Sequence, residues 1–297
     1  MDIWRVGLVE KSFRDVAASG FGDAPVRWIE ADRPFSFLAD PFGLWRDEHL
    51  FLFVEAYDYR TRLGHIELLQ FDRGLNLLGR RPCLKEAWHL SYPYVFEAEN
   101  EIWMLPEAHR SGKLTLYRCS EFPDVWQAEC VVDLPELAVD ATPLFHQGLW
   151  WLFYSPAARS GPLLHAAYAK SLTGRWSLYP MNPLVEGSIA SRPGGTPIVD
   201  NDRILVPVQE CANGYGSGIS LLEVNDLTTG SIKIGPVRAL PPPTSTEPFN
   251  NGFHTLSAAG EVTLIDVKRI EGSLRRLPID ALGRAHRSAR RWFPRSR

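Results

Sequence analysis

The chain has 297 residues, of which 11% are aromatic and 23 each are glycine and proline, and its formal net charge is −3. Many rigid, β-favouring side chains together with many turn residues are typical of a large all-β protein. No apolar run approaches the roughly 20 residues that a membrane-spanning helix needs. The first residues also lack the basic-then-apolar order of a signal peptide, so we expect a cytoplasmic protein.

Several classes of site are absent from the sequence. The cysteines Cys83, Cys119, Cys130 and Cys211 lack the Cys-x-x-Cys spacing of zinc sites, and nothing indicates an oxidising compartment, so we expect free thiols. Glycine-rich phosphate loops and a His-Glu-x-x-His helix are missing as well. The sequence therefore predicts no cofactor and no metal.

The first predicted element is a strand from Trp4 to Val9. A closed ring of sheets needs a strand from one chain end to pair with the sheet at the other, because an open ring leaves unpaired strand edges. We expect this strand to close the structure by pairing with the last sheet, which begins near Phe253.

A short phrase then recurs at intervals of about 50 residues, a period typical of blade-built folds. Its copies are Asp40-Pro41-Phe42, Tyr92-Pro93-Tyr94, Thr142-Pro143-Leu144, Thr196-Pro197-Ile198 and the degenerate His254-Thr255-Leu256. Each copy precedes a polar turn, Asp200-Asn201-Asp202 in the fourth, and then an apolar strand, at 50–54, 102–105, 149–154, 204–208 and 262–265. The pattern predicts an all-β fold, a five-bladed β-propeller over residues 1–274 with about four antiparallel strands per blade.

Positive charge is concentrated at the C-terminus. From residue 275 onward there are eight arginines against a single aspartate, a net +7, so the preceding residues must carry −10 to give the overall −3. An acidic body argues against nucleic acid as a partner. We expect residues 275–297 to be a basic tail or a short helix from Ile279 to Phe293. It would lie on an anionic membrane surface or a partner such as a glycosyltransferase, or remain a solvated, frayed terminus.

The repeat also predicts where polar side chains converge, because the innermost strands of all blades begin around one mouth of the central channel. The residues expected there are Asp40, Tyr92, Thr142, Thr196 and His254, with Asp140 on the same strand face as Thr142. Antiparallel pairing returns the ends of the following strands to the same mouth, and these carry Glu55, Glu107, Ser155, Glu210 and Lys268. Gln209, His89, Arg192 and Tyr215 lie nearby in the sequence.

Several carboxylates around one cavity suit two activities. Hydrolysis of a glycosidic bond needs one carboxylate as nucleophile or base and a second, of raised pKa, as general acid. Binding of a sugar uses the same carboxylates to accept hydrogen bonds from hydroxyl groups, with aromatic rings such as Trp88, Tyr92 and Tyr215 against the sugar C–H surface. A single acidic residue at a blade rim is more often solvated or bonded to a loop amide, so the argument rests on the recurring set. Oxygen ligands would also suit Ca²⁺, although no spacing demands it.

A family resemblance is carried by longer phrases. These are Phe37-Leu38-Ala39-Asp40-Pro41-Phe42, His89-Leu90-Ser91-Tyr92-Pro93-Tyr94-Val95-Phe96-Glu97, Leu105-Pro106-Glu107, and Val208-Gln209-Glu210-Cys211 with Tyr215-Gly216. Over nearly the whole chain they resemble the N-terminal propeller domain of glucosamine inositolphosphorylceramide transferases, whose bacterial relatives occur in polysaccharide-related proteins. The resemblance implies a propeller like those of arabinanase and β-xylosidase glycoside hydrolases. The glycosyltransferase chemistry of the plant proteins belongs to a separate domain.

The same resemblance implies roles for individual residues. Asp40 looks like the general base of the hydrolases, and Asp140 looks like their pKa-tuning aspartate. Their general acid is a glutamate that opens the fourth blade, where this sequence has Thr196. Glu210 or Glu107 would have to replace it.

Two functional hypotheses follow. In the first, the protein is a glycoside-hydrolase-like enzyme acting on a bacterial polysaccharide or glycolipid glycan, with Asp40, Asp140, Glu210 and Glu107 as its catalytic groups. The groups holding the sugar would be Glu55, His89, Tyr92, Arg192, Gln209, Tyr215 and His254. In the second, the propeller is non-catalytic and binds a glycan or presents it to a glycosyltransferase in polysaccharide biosynthesis.

Overall fold

The computed structural model describes residues 1–157, 163–200 and 203–292, with the side chains of 288–292 left out of the description. Five antiparallel sheets account for the described strands. The five-bladed propeller expected from the repeat is confirmed. Residues 201 and 202 of the predicted fourth turn, and residues 293–297 of the predicted basic tail, lie outside the described residues.

The N-terminal elements and blade 1 come first in the chain. They are β1 (Asp2–Val9), α1 (Phe13–Ser19) and β2 (Val26–Ile29), followed by β3 (Ser36–Arg46), β4 (His49–Asp58), β5 (Leu63–Phe71) and β6 (Leu77–Leu84). Strands β3 to β6 form blade 1 in sequence order, with β3 innermost.

Blades 2 and 3 repeat this meander. Blade 2 consists of β7 (Ser91–Ala98), β8 (Glu101–Glu107), β9 (Thr115–Glu121) and β10 (Val125–Val131), with a 3₁₀ turn at His109–Ser111. Blade 3 consists of β11 (Ala138–His146), β12 (Leu149–Pro156), β13 (Leu163–Ala169), β14 (Ser177–Leu178) and β15 (Val185–Glu186), the last two pairing with β13.

Blades 4 and 5 complete the ring. Blade 4 consists of β16 (Ile189–Pro193), β17 (Ile198–Asp200), β18 (Arg203–Glu210), β19 (Gly218–Asn225) and β20 (Lys233–Leu240). Blade 5 has the order β21 (Leu256–Ala259), β22 (Val262–Ile270), β1, β2. Strand β1 pairs with β22 from Asp2 opposite Ile270 to Val9 opposite Thr263. The predicted N-terminal closure is confirmed, and the chain supplies two strands for it rather than one.

The hydrophobic core lies between blades, so the second strand of a blade is apolar on both faces. In β12, Trp150 and Leu152 pack into the cluster shared with blade 2, whereas Trp151 and Phe153 pack into the cluster shared with blade 4. Successive side chains of a strand point to opposite faces, so burial on both sides gives a continuous apolar run instead of an alternating one. For this reason the repeat can be recognised in the sequence as five apolar runs.

The C-terminal helix α2 (Arg276–Trp292) packs against blade 1. Asp280 Oδ1 accepts a hydrogen bond from Arg62 Nη2 at 2.9 Å. A Cβ added to Gly283 would come within 2.4 Å of the Tyr59 carbonyl oxygen, so only glycine allows the helix to approach this closely. In the described part of the chain, no helix is both long and apolar enough to span a bilayer.

Strand β1 is expected to stabilise the whole ring rather than one edge of it. Leu8 is fully buried in the cluster between blades 5 and 1, and Leu8→Ala should lower the free energy of unfolding by about 2–5 kcal/mol. Leu78→Ala, on the exposed outer strand of blade 1, should change it by less than about 0.5 kcal/mol. Deletion of residues 1–9 should abolish the single cooperative transition in thermal unfolding. A shortened protein that melts at the full-length temperature would contradict the closure argument.

Candidate functional site

The strand register brings five second-strand residues to one end of the channel. Each pairs with a residue in the first part of the innermost strand of its blade or, in blade 5, with a residue just before that strand. The pairs are Ala39 with Glu55, Ser91 with Glu107, Val139 with Ser155, Ile189 with Glu210, and Gly252 with Lys268. We call this end the polar mouth. Its buried charged groups are Asp40, Glu55, Glu107, Asp140, Asp266 and Lys268, together with His254.

A bulge follows this pair in each of blades 1 to 4. The residue after the pair has a left-handed backbone in every case: Asp40 (φ 51°), Tyr92 (φ 46°), Asp140 (φ 50°) and Ala190 (φ 58°). A bulge of this kind re-aims a side chain at the end of a sheet. In this way two aspartates from different blades are turned toward the mouth.

The bulges correct the alignment that the proline phrase predicted. Asp140, and not Thr142, occupies the place of Asp40 in blade 3, and Ala190, and not Thr196, occupies it in blade 4. The bulge also breaks the strand alternation that was expected to put Asp140 and Thr142 on one face. Thr142 Oγ1 lies 2.9 Å from the buried Tyr92 hydroxyl, which also accepts the Gly195 N–H at 2.8 Å. Thr196 donates its backbone N–H to the Leu256 carbonyl oxygen, deeper along blade 5.

Asp40, His254 and Asp266 form one half of the mouth. Asp266 Oδ1 lies 2.8 Å from His254 Nδ1 and accepts the His254 and Thr255 backbone N–H groups, while Oδ2 accepts that of Asp40 at 2.9 Å. Asp40 accepts hydrogen bonds from the Tyr92 N–H and the Thr255 hydroxyl, and its Oδ1 lies 3.6 Å from His254 Nε2. The imidazole therefore lies between two buried carboxylates.

This arrangement shifts the pKa values of both His254 and Asp40. Burial alone would lower the pKa of His254, but the charge and hydrogen bond of Asp266 raise it, with a further contribution from Asp40. Burial raises the pKa of Asp40, the charge of His254 opposes the shift, and Asp266 adds to it. The histidine therefore favours its cationic form and compensates the carboxylates beside it.

The same three side chains are the best candidates for a metal site. Their ligand atoms all lie within 4.8 Å of one another. Carboxylate oxygens and an imidazole nitrogen suit a divalent cation. However, backbone N–H groups and the Thr255 hydroxyl already use both carboxylates as acceptors, so a cation would have to replace several of these hydrogen bonds.

Asp140, Arg192 and Glu107 form the other half. Arg192 Nε donates to Asp140 Oδ2, which also accepts the Gln209 Nε2–H at 2.7 Å, and Arg192 Nη2 lies 3.7 Å from Glu107 Oε2. His109 Nδ1 lies 2.5 Å from Glu107 Oε1. These residues come from three blades, so the cluster exists only when the ring is assembled.

The two carboxyl groups of this half have pKa values shifted in opposite directions. Burial raises the pKa of Asp140 to about 7 against the charge of Arg192, and the charge of Glu107 adds to the rise. Glu107 is also buried, but a hydrogen bond to His109, the charge of Arg192 and a hydrogen bond from Asp140 lower its pKa to about 2. Near neutral pH Asp140 therefore titrates, whereas Glu107 is ionised.

Glu55 and His89 lie at the edge of the mouth beside blade 1. His89 Nε2 is 3.4 Å from Glu55 Oε1, and His89 Nδ1 accepts the Gly64 backbone N–H at 2.8 Å. Because Nδ1 accepts, the proton of the neutral ring is on Nε2 and points to the carboxyl group. Burial, with Arg110 and His109 adding to it and Glu107 opposing, lowers the pKa of His89 to about 4. Burial and the charge of Asp40 raise that of Glu55.

Aromatic rings cover the mouth. Trp4 stacks on His254 with ring centroids 3.8 Å apart, and Tyr215 meets the same imidazole edge-on at 5.3 Å. The Arg192 guanidinium lies 5.2 Å from the Tyr215 ring. Tyr215 is 45% exposed, so this aromatic residue reaches solvent beside the buried charged groups.

Glu210 lies at the polar mouth, but its carboxylate is bonded within its own blade. Its carboxylate accepts a hydrogen bond from Ser220 Oγ at 2.5 Å, within its own blade. Among the described residues, no hydrogen bond or ion pair joins Glu210 to Asp40, Asp140 or Glu107. A catalytic pair of Asp40 and Glu210 stays a prediction that these contacts do not favour.

Asp266 is the mouth residue that the sequence analysis missed. Its side chain is fully buried in β22 and organises the Asp40 and His254 backbones. A carboxylate next to the apolar residues Leu264, Ile265 and Val267 was the available signal, because such a group requires buried partners.

His89 should make stability pH-dependent in one direction. The folded state favours the neutral ring, so stability is lost as pH falls from the unfolded pKa near 6.5 toward the folded value of about 4. Between pH 7 and pH 5 the loss should be about 2 kcal/mol. In His89→Asn the amide oxygen can accept the Gly64 N–H but does not titrate. The free energy of unfolding in urea should therefore fall by about 2 kcal/mol less between pH 7 and pH 5 in this variant than in the wild type. Equal pH dependence in both proteins would show that His89 is not the titrating group.

The comparisons with known proteins agree with this geometry. The family described as "Glucosamine inositolphosphorylceramide transferase 1, N-terminal" matches residues 24–240, which run from β2 to the end of blade 4. The chain is 37% identical over 216 residues to glucosamine inositolphosphorylceramide transferase 1 of Oryza sativa subsp. indica, covering 70% of this chain and 29% of that protein. For the Arabidopsis thaliana protein the identity is 35% over 202 residues, with 66% and 26% covered. The chain thus spans less than a third of the length of these relatives.

Solved structures show the same fold. An α-L-arabinofuranosidase from Lactobacillus brevis superposes with a TM-score of 0.58 at 14% identity, covering 82% of this chain and 87% of that one. A family 117 glycoside hydrolase from Zobellia galactanivorans gives 0.58 at 11% identity, covering 81% and 86%. At such identities the likeness concerns the fold alone. The family match confirms the resemblance expected from the sequence, and the chain belongs to the family of the N-terminal domain of glucosamine inositolphosphorylceramide transferase 1.

Proposed function

We propose that this propeller binds a sugar residue of a polysaccharide or glycolipid glycan at its polar mouth. The observation that carries the proposal is the half-exposed Tyr215 ring beside a set of fixed hydrogen-bonding groups from different blades. An aromatic face packs against sugar C–H groups, while carboxylates, an amide and a guanidinium suit hydroxyl groups. The names of the relatives, a transferase acting on a glycolipid and glycoside hydrolases, support a ligand of this class.

Gln209 contributes an acceptor to this site. Its side chain is 1% exposed, and its amide N–H groups are used by Asp140 and the Pro193 carbonyl oxygen. Its Oε1 atom has no donor within the described residues. A buried acceptor without a partner costs free energy, which a ligand hydroxyl would recover.

Binding fits the carboxyl geometry better than hydrolysis does. Two-carboxyl mechanisms require separations of about 5–5.5 Å for retention or about 6.5–9.5 Å for inversion. Asp140 and Glu107 instead both pair with Arg192, and Asp40 is held by Thr255 and Tyr92. The proposed activity is therefore recognition, and in a longer protein the propeller would present its glycan to a glycosyltransferase.

One observation favours hydrolysis as a second candidate. The pKa values of Asp140 and Glu107 are about 7 and about 2, and such a separation is how enzymes obtain an acid and a base from two carboxyl groups. In this case Asp140 would protonate the leaving oxygen, and Glu107 or Asp40 would act as the base.

Tyr215→Ala should weaken binding of a glycan about tenfold, which corresponds to about 1.4 kcal/mol, because the ring face is lost. Phe145→Ala is the matched control, since Phe145 is 55% exposed and lies toward the opposite end of its strand from Asp140. The ligand would be selected on a glycan array, and the affinities measured by calorimetry. Equal affinities of the two variants would remove the mouth as the binding site.

Hydrolysis is tested by incubating each glycan that binds with the wild type and with Asp140→Asn. We expect no released sugar from either protein and similar binding by both. If the wild type releases sugar, the second candidate predicts that activity declines as pH rises through about 7, where Asp140 loses its proton, and that Asp140→Asn is inactive. Released sugar with this pH profile would replace the binding proposal by hydrolysis.

A further inference from the structure

A cavity lies beside the polar mouth, between blades 1 and 2 and helix α2. Its volume is about 540 Å³. Three arginines line it, each from a different part of the chain: Arg62 follows β4, Arg110 lies in the 3₁₀ turn after β8, and Arg287 lies on α2. The assembled fold therefore brings together three cations that the sequence separates.

These charges are only partly compensated. Arg62 pairs with Asp280 at 2.9 Å. Within the described residues, neither Arg110 nor Arg287 has a carboxylate partner. The cavity thus carries a net positive charge in a protein whose residues before 275 sum to −10.

The remaining polar groups of the cavity also suit an anion. His89 lines it as a neutral ring, since its Nδ1 accepts the Gly64 N–H and the proton on Nε2 points to Glu55. Trp88 lines the cavity too, and its indole N–H is buried without an acceptor in the described part of the chain. An unpaired buried donor next to two unpaired guanidinium groups favours an acceptor of negative charge.

We propose that this cavity is an anion-binding site that takes a phosphate or carboxylate group carried by a ligand. Arginine recognises both groups through parallel N–H donors. A neighbouring cavity of about 1,060 Å³ shares Thr61, Leu63 and Ala87 with it, which leaves room for the remainder of an organic ligand. The site is distinct from the sugar site at the mouth, and His89 and Glu55 lie between the two.

Helix α2 sets the geometry of this site. Gly283 fixes the distance between the helix and the Tyr59 carbonyl oxygen, and Arg287 follows one helical turn later on the same face. A methyl group at position 283 would push the helix outward and move Arg287 without changing any charge. Gly283→Ala therefore tests placement separately from charge.

The test measures binding of inorganic phosphate, glucose 1-phosphate, glucuronic acid and glucose to the full chain by calorimetry. Arg110→Gln and Arg287→Gln should each weaken binding of the anionic probes at least tenfold, and Gly283→Ala should weaken it as well. Arg284→Gln is the matched control, because Arg284 is an exposed arginine of the same helix that does not line the cavity. It should bind within twofold of the wild type. No anion binding by the wild type, or an equal loss in Arg284→Gln, would overturn the proposal.

A second arm distinguishes the sources of the anion. Vesicles of phosphatidylglycerol and of phosphatidylcholine are sedimented with the same proteins. Binding to the anionic vesicles that requires Arg110 and Arg287 but not Arg284 would identify a lipid headgroup in the cavity. An equal loss of vesicle binding in the Arg110, Arg287 and Arg284 variants would indicate attraction by general surface charge and contradict a specific site in the cavity. Affinity for the array glycan, measured alongside, separates this outcome from failure of the sugar site.

Discussion

The pairing of β1 with β22 is the interaction on which the rest of the structure depends. It joins the first residues of the chain to the last strand of the ring through eight residue pairs. Without it, blade 5 would end at an exposed strand edge and its two inner strands would lose their cover. The polar mouth depends on the same closure, because Asp266 on β22 holds Asp40 of blade 1 and His254 of blade 5 in one network. Residues that are far apart in the sequence meet there only because the ring is closed.

Closure also explains how the protein accommodates so many charges in its interior. Buried charges are costly when they are unpaired, and here each half of the mouth contains a basic side chain between carboxyl groups. His254 pairs with Asp40 and Asp266, and Arg192 pairs with Asp140 and Glu107. Because the members of each half come from different blades, the charge network is satisfied only in the assembled ring. The same network leaves a fixed polar surface beside Tyr215, and the proposed sugar binding would use this preorganised surface.

Much of this architecture could be predicted from the sequence, for definite reasons. The second strand of each blade is apolar on both faces. Each blade can therefore be recognised in the sequence as an apolar run that ends in a polar residue such as Glu55 or Glu107. The bulges could not be predicted, because one added residue in a strand does not change the amino-acid composition detectably. In blade 3 the bulge makes Asp140, rather than Thr142, the counterpart of Asp40. The docking of α2 was equally hidden, because the role of Gly283 depends on a backbone carbonyl more than 200 residues earlier.

The shared final blade has a consequence for the order of events during synthesis. Val6 emerges from the ribosome some 260 residues before its partner Asp266, an interval of roughly 10 to 50 s at ordinary rates of translation. Throughout this time β1 and β2 have no sheet to join, while blades 1 to 4 can already stack on one another. The nascent chain must therefore keep an apolar strand from pairing elsewhere until the last blade arrives. The emergence of β22 from the ribosome therefore sets the earliest moment at which the ring can close.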